Sequence, residues 1–207
     1  MRTFLYFSIP AMIFFSCSTP AAPEYDEEVT NFLNEVSKGW SFFEDGNISL
    51  AAIAFRKAIE FNSKGDRAEA YIGLGWCLAM GDSLTKAISA FTVAATRGPR
   101  TARDSANMFA GMSLVYRDLT PPDFPKVRDN ALAALKIDPN FIFEYKKSIN
   151  AADLKAVLAE AYFNLEQYTE AAAIADPNNT LDPADPKYNE ELLSKINQLI
   201  TASLEGG

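Results

Sequence analysis

Apolar residues recur along the chain at helical spacing, in blocks separated by short polar breaks that contain Gly or Pro. Within 49–61 the residues Leu50, Ile53, Ala54, Phe55, Ala58, Ile59 and Phe61 keep the three-to-four-residue interval of one helix face. Near the C-terminus Leu192, Leu193, Ile196, Leu199, Ile200 and Leu204 form a single apolar stripe on a helix predicted over 187–204, with Asp185 and Pro186 placed to start it. Gly98-Pro99 and Asp138-Pro139 are stop signals, and Pro125 suits the first turn of a helix. A polar break at Asn178-Asn179-Thr180, followed by Pro183 and Pro186, sets the last helix apart.

A longer period overlies the helical one. Gly39, Gly75 and Gly111 are spaced by 36 residues, and the same shift carries Trp40 onto Trp76, Ala51 onto Ala87, Phe55 onto Phe91 and Ala58 onto Ala94. A small residue lets two antiparallel helices approach, and the bulky ones fill the space beside them. Each such pair buries one face on its neighbour, so several must stack.

These residues resemble the tetratricopeptide repeat, a helix-turn-helix unit. The second unit carries the likeness best, with Tyr71, Leu74-Gly75, Leu78, Ala87, Phe91 and Pro99. The first has Gly39, Phe42, Gly46, Ala51, Phe55 and Ala58. The third has Gly111 and Leu114, departs at Pro121, Pro122 and Pro125, and resumes with Ala131, Ala134 and Asp138-Pro139. A fourth has Ala159, Tyr162, Tyr168 and Ala171 and stops early at Asp176-Pro177. The resemblance implies an all-α fold: a right-handed α-solenoid of about four helical hairpins over 30–177 (about 30–65, 66–101, 102–141 and 150–177). A linker and a C-terminal capping helix follow over 178–207.

The first 16 residues hold one Arg and a mostly apolar run from Phe4 to Phe15. As a helix that run spans about 18 Å, against about 30 Å of bilayer hydrocarbon, so it reads as a cleaved secretory signal. Ser16-Cys17 at its end resembles the lipidation site of bacterial lipoproteins. That implies an acylated Cys17 as the mature N-terminus and, with Ser18 beside it, a place on the outer membrane of the bacterial cell envelope. An ordinary cleaved signal is the alternative. Residues 17–29, with Pro20, Pro23 and the acids Glu24, Asp26, Glu27 and Glu28, read as a flexible tether. Cys77 is then the one remaining thiol, expected to be buried and inert between Trp76 and Leu78.

Composition removes much chemistry. The 207 residues include no His, so Ser-His and Cys-His catalysis and His-bearing metal cages are excluded. A net charge of -8 without a dense Lys/Arg cluster argues against nucleic acid as a partner. The oxygen-rich stretch 176–185 fails as an EF-hand, lacking Gly at the sixth place and carrying Lys187 where Glu belongs, and reads as turns and caps. Gly73-Leu74-Gly75 is too short for a phosphate loop, and Gly111-Met112-Ser113 lacks the second Gly of a nucleophile elbow. No catalytic constellation emerges, and a non-enzymatic protein with no cofactor or metal is expected.

In the tetratricopeptide family the inner helix of each unit lines a concave face. Carried onto this chain, that face takes in Trp40, Phe43, Glu44, Ile72, Trp76, Met80, Met108, Met112, Tyr116 and Phe163. Such a groove is apolar and aromatic. Each Trp, burying on the order of 200 Å², offers roughly 5 kcal/mol before entropic costs. The expected function is a lipid-anchored scaffold in which Trp40 and Trp76 insert into another envelope protein or peptide segment and Glu44 orients it. Two other readings stay open. One is a structural spacer whose groove is filled by its own side chains or by 120–125, which burial of both Trp would favour. The other is a carboxylate-dependent glycan hydrolase, which a carboxyl pair about 5–9 Å apart would favour. Oligomeric state is left open.

Overall fold

A computed structural model describes residues 27–205 apart from Ser63 and Asp66. The expected signal sequence and the lipidation site Cys17 lie outside the described residues. Among the described residues nine helices follow in order: α1 (Glu27–Glu44), α2 (Ile48–Glu60), α3 (Glu69–Met80), α4 (Leu84–Arg97), α5 (Ala102–Asp118), α6 (Phe124–Ile137), α7 (Ala151–Asn164), α8 (Tyr168–Ala175) and α9 (Tyr188–Glu205). Among the described residues the lone β pairing is a bridge between Ile142 and Asn150. Each helix packs on the next, and α1 meets α3, α3 meets α5, α5 meets α7 and α7 meets α9. The fold is therefore an α-solenoid of four hairpins whose odd-numbered helices form the inner layer, closed at its end by α9.

The 36-residue period has a direct physical meaning. Phe55 of α2 lies between Gly39 of its own hairpin and Gly73 of the next, and Phe91 of α4 lies between Gly75 and Gly111 in the same way. A methyl group at Gly39, Gly75 or Gly111 would come within 2.5–2.6 Å of those rings. The ring of an outer helix is thus the wedge that joins two inner helices, and glycine is what admits it. In the third hairpin Ser113 Oγ donates to the Val127 carbonyl at 3.1 Å, tying α5 to α6.

Caps set the boundaries where the turns lengthen. Thr101 accepts from the Asp104 amide at the start of α5, Asp123 accepts from the Lys126 amide ahead of α6, and Asn150 and Asp153 form a capping box on α7. Three departures from the sequence-based expectation stand out. Residues 27–29, expected as tether, are the first turn of α1. Pro121 and Pro122 are exposed in the turn between α5 and α6, so 120–125 does not fill the inner face. In the last helix Leu192 and Ile196 are buried against α7 and α8, whereas Leu193 faces outward.

Candidate functional site

The inner face of the first two hairpins is filled by the segment that follows α6. Asp138-Pro139 ends the helix, and residues 138–150 fold into a closed plug instead of running directly into α7. Its ends are tied together. The Phe143 amide donates to the Ile149 carbonyl at 2.9 Å, and the Ala151 amide to the Phe141 carbonyl at 2.7 Å. Within that frame the Lys146 amide donates to the Phe143 carbonyl at 3.0 Å.

The plug presents Phe143 and Tyr145 to the two tryptophans. Phe143 stacks on Trp76 at 4.2 Å between centroids and 18° between planes, and meets Trp40 and Phe43 edge-on at 5.9 Å each. Tyr145 lies flat on Trp40 at 3.9 Å and 3°. Trp76 is 1% exposed and donates its indole N–H to the Asn107 carbonyl at 3.2 Å. Trp40 is 9% exposed. Burial pushes the Tyr145 hydroxyl above its ordinary range, and the carboxylates of Glu144, Asp104 and Glu44 push it further.

The expectation that Trp40 and Trp76 stand free to enter pockets on a partner is corrected by this packing: the protein's own aromatic side chains already cover them. Phe43, Ile72 and Met108 are buried in the same core, and Met112 packs against it half-buried. Tyr116 belongs to a neighbouring cluster with Val127, Val157 and Ala161, with the Lys126 ammonium 4.8 Å above its ring. Phe163 sits farther along, edge-on to Tyr168 at 5.4 Å in the core that α9 closes. Of the ten residues expected to line one groove, only Glu44 and Met80 are exposed, and the ten do not form a continuous surface. The missed residues are Phe141, Phe143, Tyr145 and Ile149. Their signal was a run of large apolar side chains that begins at Phe141, the last residue of the third unit, and continues through 142–149, a stretch to which no repeat unit laid claim.

Two of the openings beside the plug border residues of the expected groove. One, of about 430 Å³, has Leu33, Trp40 and Tyr145 as walls and the carboxylates Glu44, Glu69 and Asp104 around it. The other, of about 400 Å³, lies between the second hairpin, α5 and the plug, with Met80, Leu84, Leu114 and Ile149 as apolar lining and Arg117, Lys146, Asp118 and Asp153 around it. Met80 is 38% exposed there, its sulfur 3.8 Å from Lys146 Nζ.

Cys77 is buried, and burial raises its thiol to about 12, leaving it protonated and unreactive at neutral pH. Asp176 joins α8 to α9. It accepts from Thr180 Oγ1 at 2.7 Å and the Leu181 amide at 2.8 Å, and pairs with Lys195 at 3.1 Å. Burial alone would raise its carboxyl; these three donors together hold it at about 2. Among the described residues no group of His, Cys, Asp and Glu could hold a metal ion, and no helix is long and apolar enough to cross a membrane.

The tetratricopeptide repeat family model matches residues 36–102, which covers most of the first two hairpins and the joint that Phe55 makes with Gly39 and Gly73. No curated protein matches the chain. Among solved structures, a chain from a functional characterisation of PilF of Pseudomonas aeruginosa aligns over 85% of this chain and 90% of its own, at 12% identity and a TM-score of 0.39.

Proposed function

We propose that the protein is a protein-interaction scaffold held at the bacterial envelope by lipid on Cys17, and that it meets its partner through the recess at Met80. A stack of helical hairpins offers surface, and the Met80 recess is a place where that surface is both apolar and open. At about 400 Å³ it admits one large apolar side chain of a partner. The flexible thioether of Met80 suits an adaptable contact, and Arg117, Lys146, Asp118 and Asp153 can fix orientation around the apolar centre. Cys17 would keep the solenoid at the membrane surface, since several acyl chains bind a bilayer stably where one does not.

A photo-crosslinking amino acid at position 80, introduced in the native host, tests the recess. A recurrent protein adduct that disappears when Leu84→Glu is added supports the scaffold. In the same cells, Cys17→Ala moves the protein from the membrane to the soluble fraction if Cys17 carries the anchor.

The filled inner face favours a second reading, that of a structural spacer. In that case no adduct forms at position 80 or at position 44, although both variants fold and keep their place in the cell.

A further inference from the structure

The residue four before the repeat glycine is Glu35 in the first hairpin, Tyr71 in the second and Asn107 in the third. The first two find partners. Glu35 is buried and takes Lys38 at 2.8 Å and Lys57 at 3.1 Å. Tyr71 lies under the Arg97 guanidinium, 5.0 Å from its ring centre.

Asn107 differs. It is 3% exposed, yet its carboxamide makes no hydrogen bond to any described residue. Neither polar atom of that group is fully enclosed, and the residue borders a cavity of about 390 Å³ between the start of α5 and the base of the plug. The third hairpin therefore leaves empty a position that the first two fill with a cation. Buried amides are costly without partners, so a buried amide that has none and borders a cavity is equipped for a ligand.

The cavity's charges indicate what kind. Arg103 and Glu144 neutralise one another at 2.7 Å, Asp138 Oδ1 is engaged by the Asn140 amide at 3.0 Å, and Lys147, which also borders the cavity, sets one positive charge against that of Asp138, so the lining is neutral as a whole. A charged ligand gains little there. A carboxamide holds N–H and C=O side by side, and the N–H and C=O of one residue in an extended chain point the same way, so the two pair by a double hydrogen bond. Next to Asn107, Ile142 is 58% exposed and Ile137 is also open to solvent, a shelf for an aliphatic side chain.

We propose that this cavity is a docking subsite for one aliphatic residue of an extended segment of another protein, its backbone paired with Asn107 and its side chain laid over Ile137 and Ile142. The subsite is separate from the Met80 recess, so its failure leaves the crosslinking result at position 80 standing, and the converse.

The test is titration of the full chain, labelled with ¹⁵N and with ¹³C in its isoleucine methyl groups, with N-acetyl-leucine N-methylamide, followed at the Asn107 side-chain amide signals, which are identified by their loss in Asn107→Ser. The expected result is a saturable shift at millimolar to tens of millimolar probe, as befits a single-residue fragment. Asn107→Asp, which keeps the shape and loses the donor, should weaken binding at least about tenfold when read at the Ile142 methyl signals. Ile142→Ser, which leaves Asn107 intact, should weaken it several-fold and carries the test if Asn107→Asp does not fold. Absence of a saturable shift overturns the proposal. So does an equal shift with isoamyl alcohol, which has the aliphatic group and no peptide group, since the cavity would then hold only water and unspecific solute.

Discussion

Phe143 is the side chain on which the closed inner face depends. It is fully buried and touches Trp40, Phe43, Trp76 and Tyr145, so it joins the plug to α1 and α3 together. Phe143→Ala removes the central ring of that cluster and should cost about 3–5 kcal/mol of stability. A double-mutant cycle with Trp76→Leu should give a coupling of about 0.5–1.5 kcal/mol, because the stacked pair adds geometry to its buried area. Urea unfolding of the three variants checks both figures. A loss near zero for Phe143→Ala would mean that the plug is not seated in solution. The two Trp were legible in the sequence as large side chains following the repeat glycines, but their environment was not. A large apolar residue on an inner helix reads the same whether a partner or the chain itself covers it.

At the scale of elements, the hairpin turns keep a register of their own. Gly46, Asp82 and Glu166 stand seven residues after Gly39, Gly75 and Ala159, and all three have positive φ, at 76°, 55° and 59°. The left-handed region costs an L residue about 1–2 kcal/mol, least for Gly and small polar side chains, so Glu166 is the most strained of the three. Glu166→Gly should raise stability by about 0.5–1 kcal/mol, seen as a higher urea midpoint with unchanged slope. The third hairpin breaks the register. The corresponding residue, Asp118, is the last of α5, and the turn is carried instead by 119–123 with its two prolines. That departure was visible as Pro121 and Pro122, because proline disrupts a regular turn locally. The exchange of roles between 120–125 and 138–150 was not visible, since only packing decides which loop reaches the inner face.

At the scale of the whole molecule, α9 closes the stack, and Asp176 with Lys195 is the polar link in that closure. The Asp176 carboxyl is held at about 2 in the folded chain, against an ordinary value near 3.9 in an unfolded one. The folded pKa is the lower of the two, so the stabilisation is fully present above about pH 4 and is lost as pH falls toward about 2. Asp176→Asn should lower the melting temperature by several degrees at neutral pH. The gap to the wild type should narrow as pH falls through that window, a comparison that separates Asp176 from the other acids titrating there. A gap independent of pH would mean that the carboxylate charge contributes nothing to the closure.

Taken by itself, the amino-acid sequence determined the hairpin, its 36-residue period, the joint of glycine and phenylalanine and the terminal helix. Each depends on residues a fixed and short distance apart, and such contacts repeat, so periodicity records them. Only the tertiary structure decided that the inner face is filled and that the Asn107 carboxamide has no hydrogen-bond partner among the described residues. Phe143 meets Trp76 across 67 residues and Trp40 across 103, and neither contact recurs elsewhere in the chain. A single long-range closure of this kind leaves no period to read. It follows from how the volume beside three stacked hairpins is filled, and that volume exists only once they have packed.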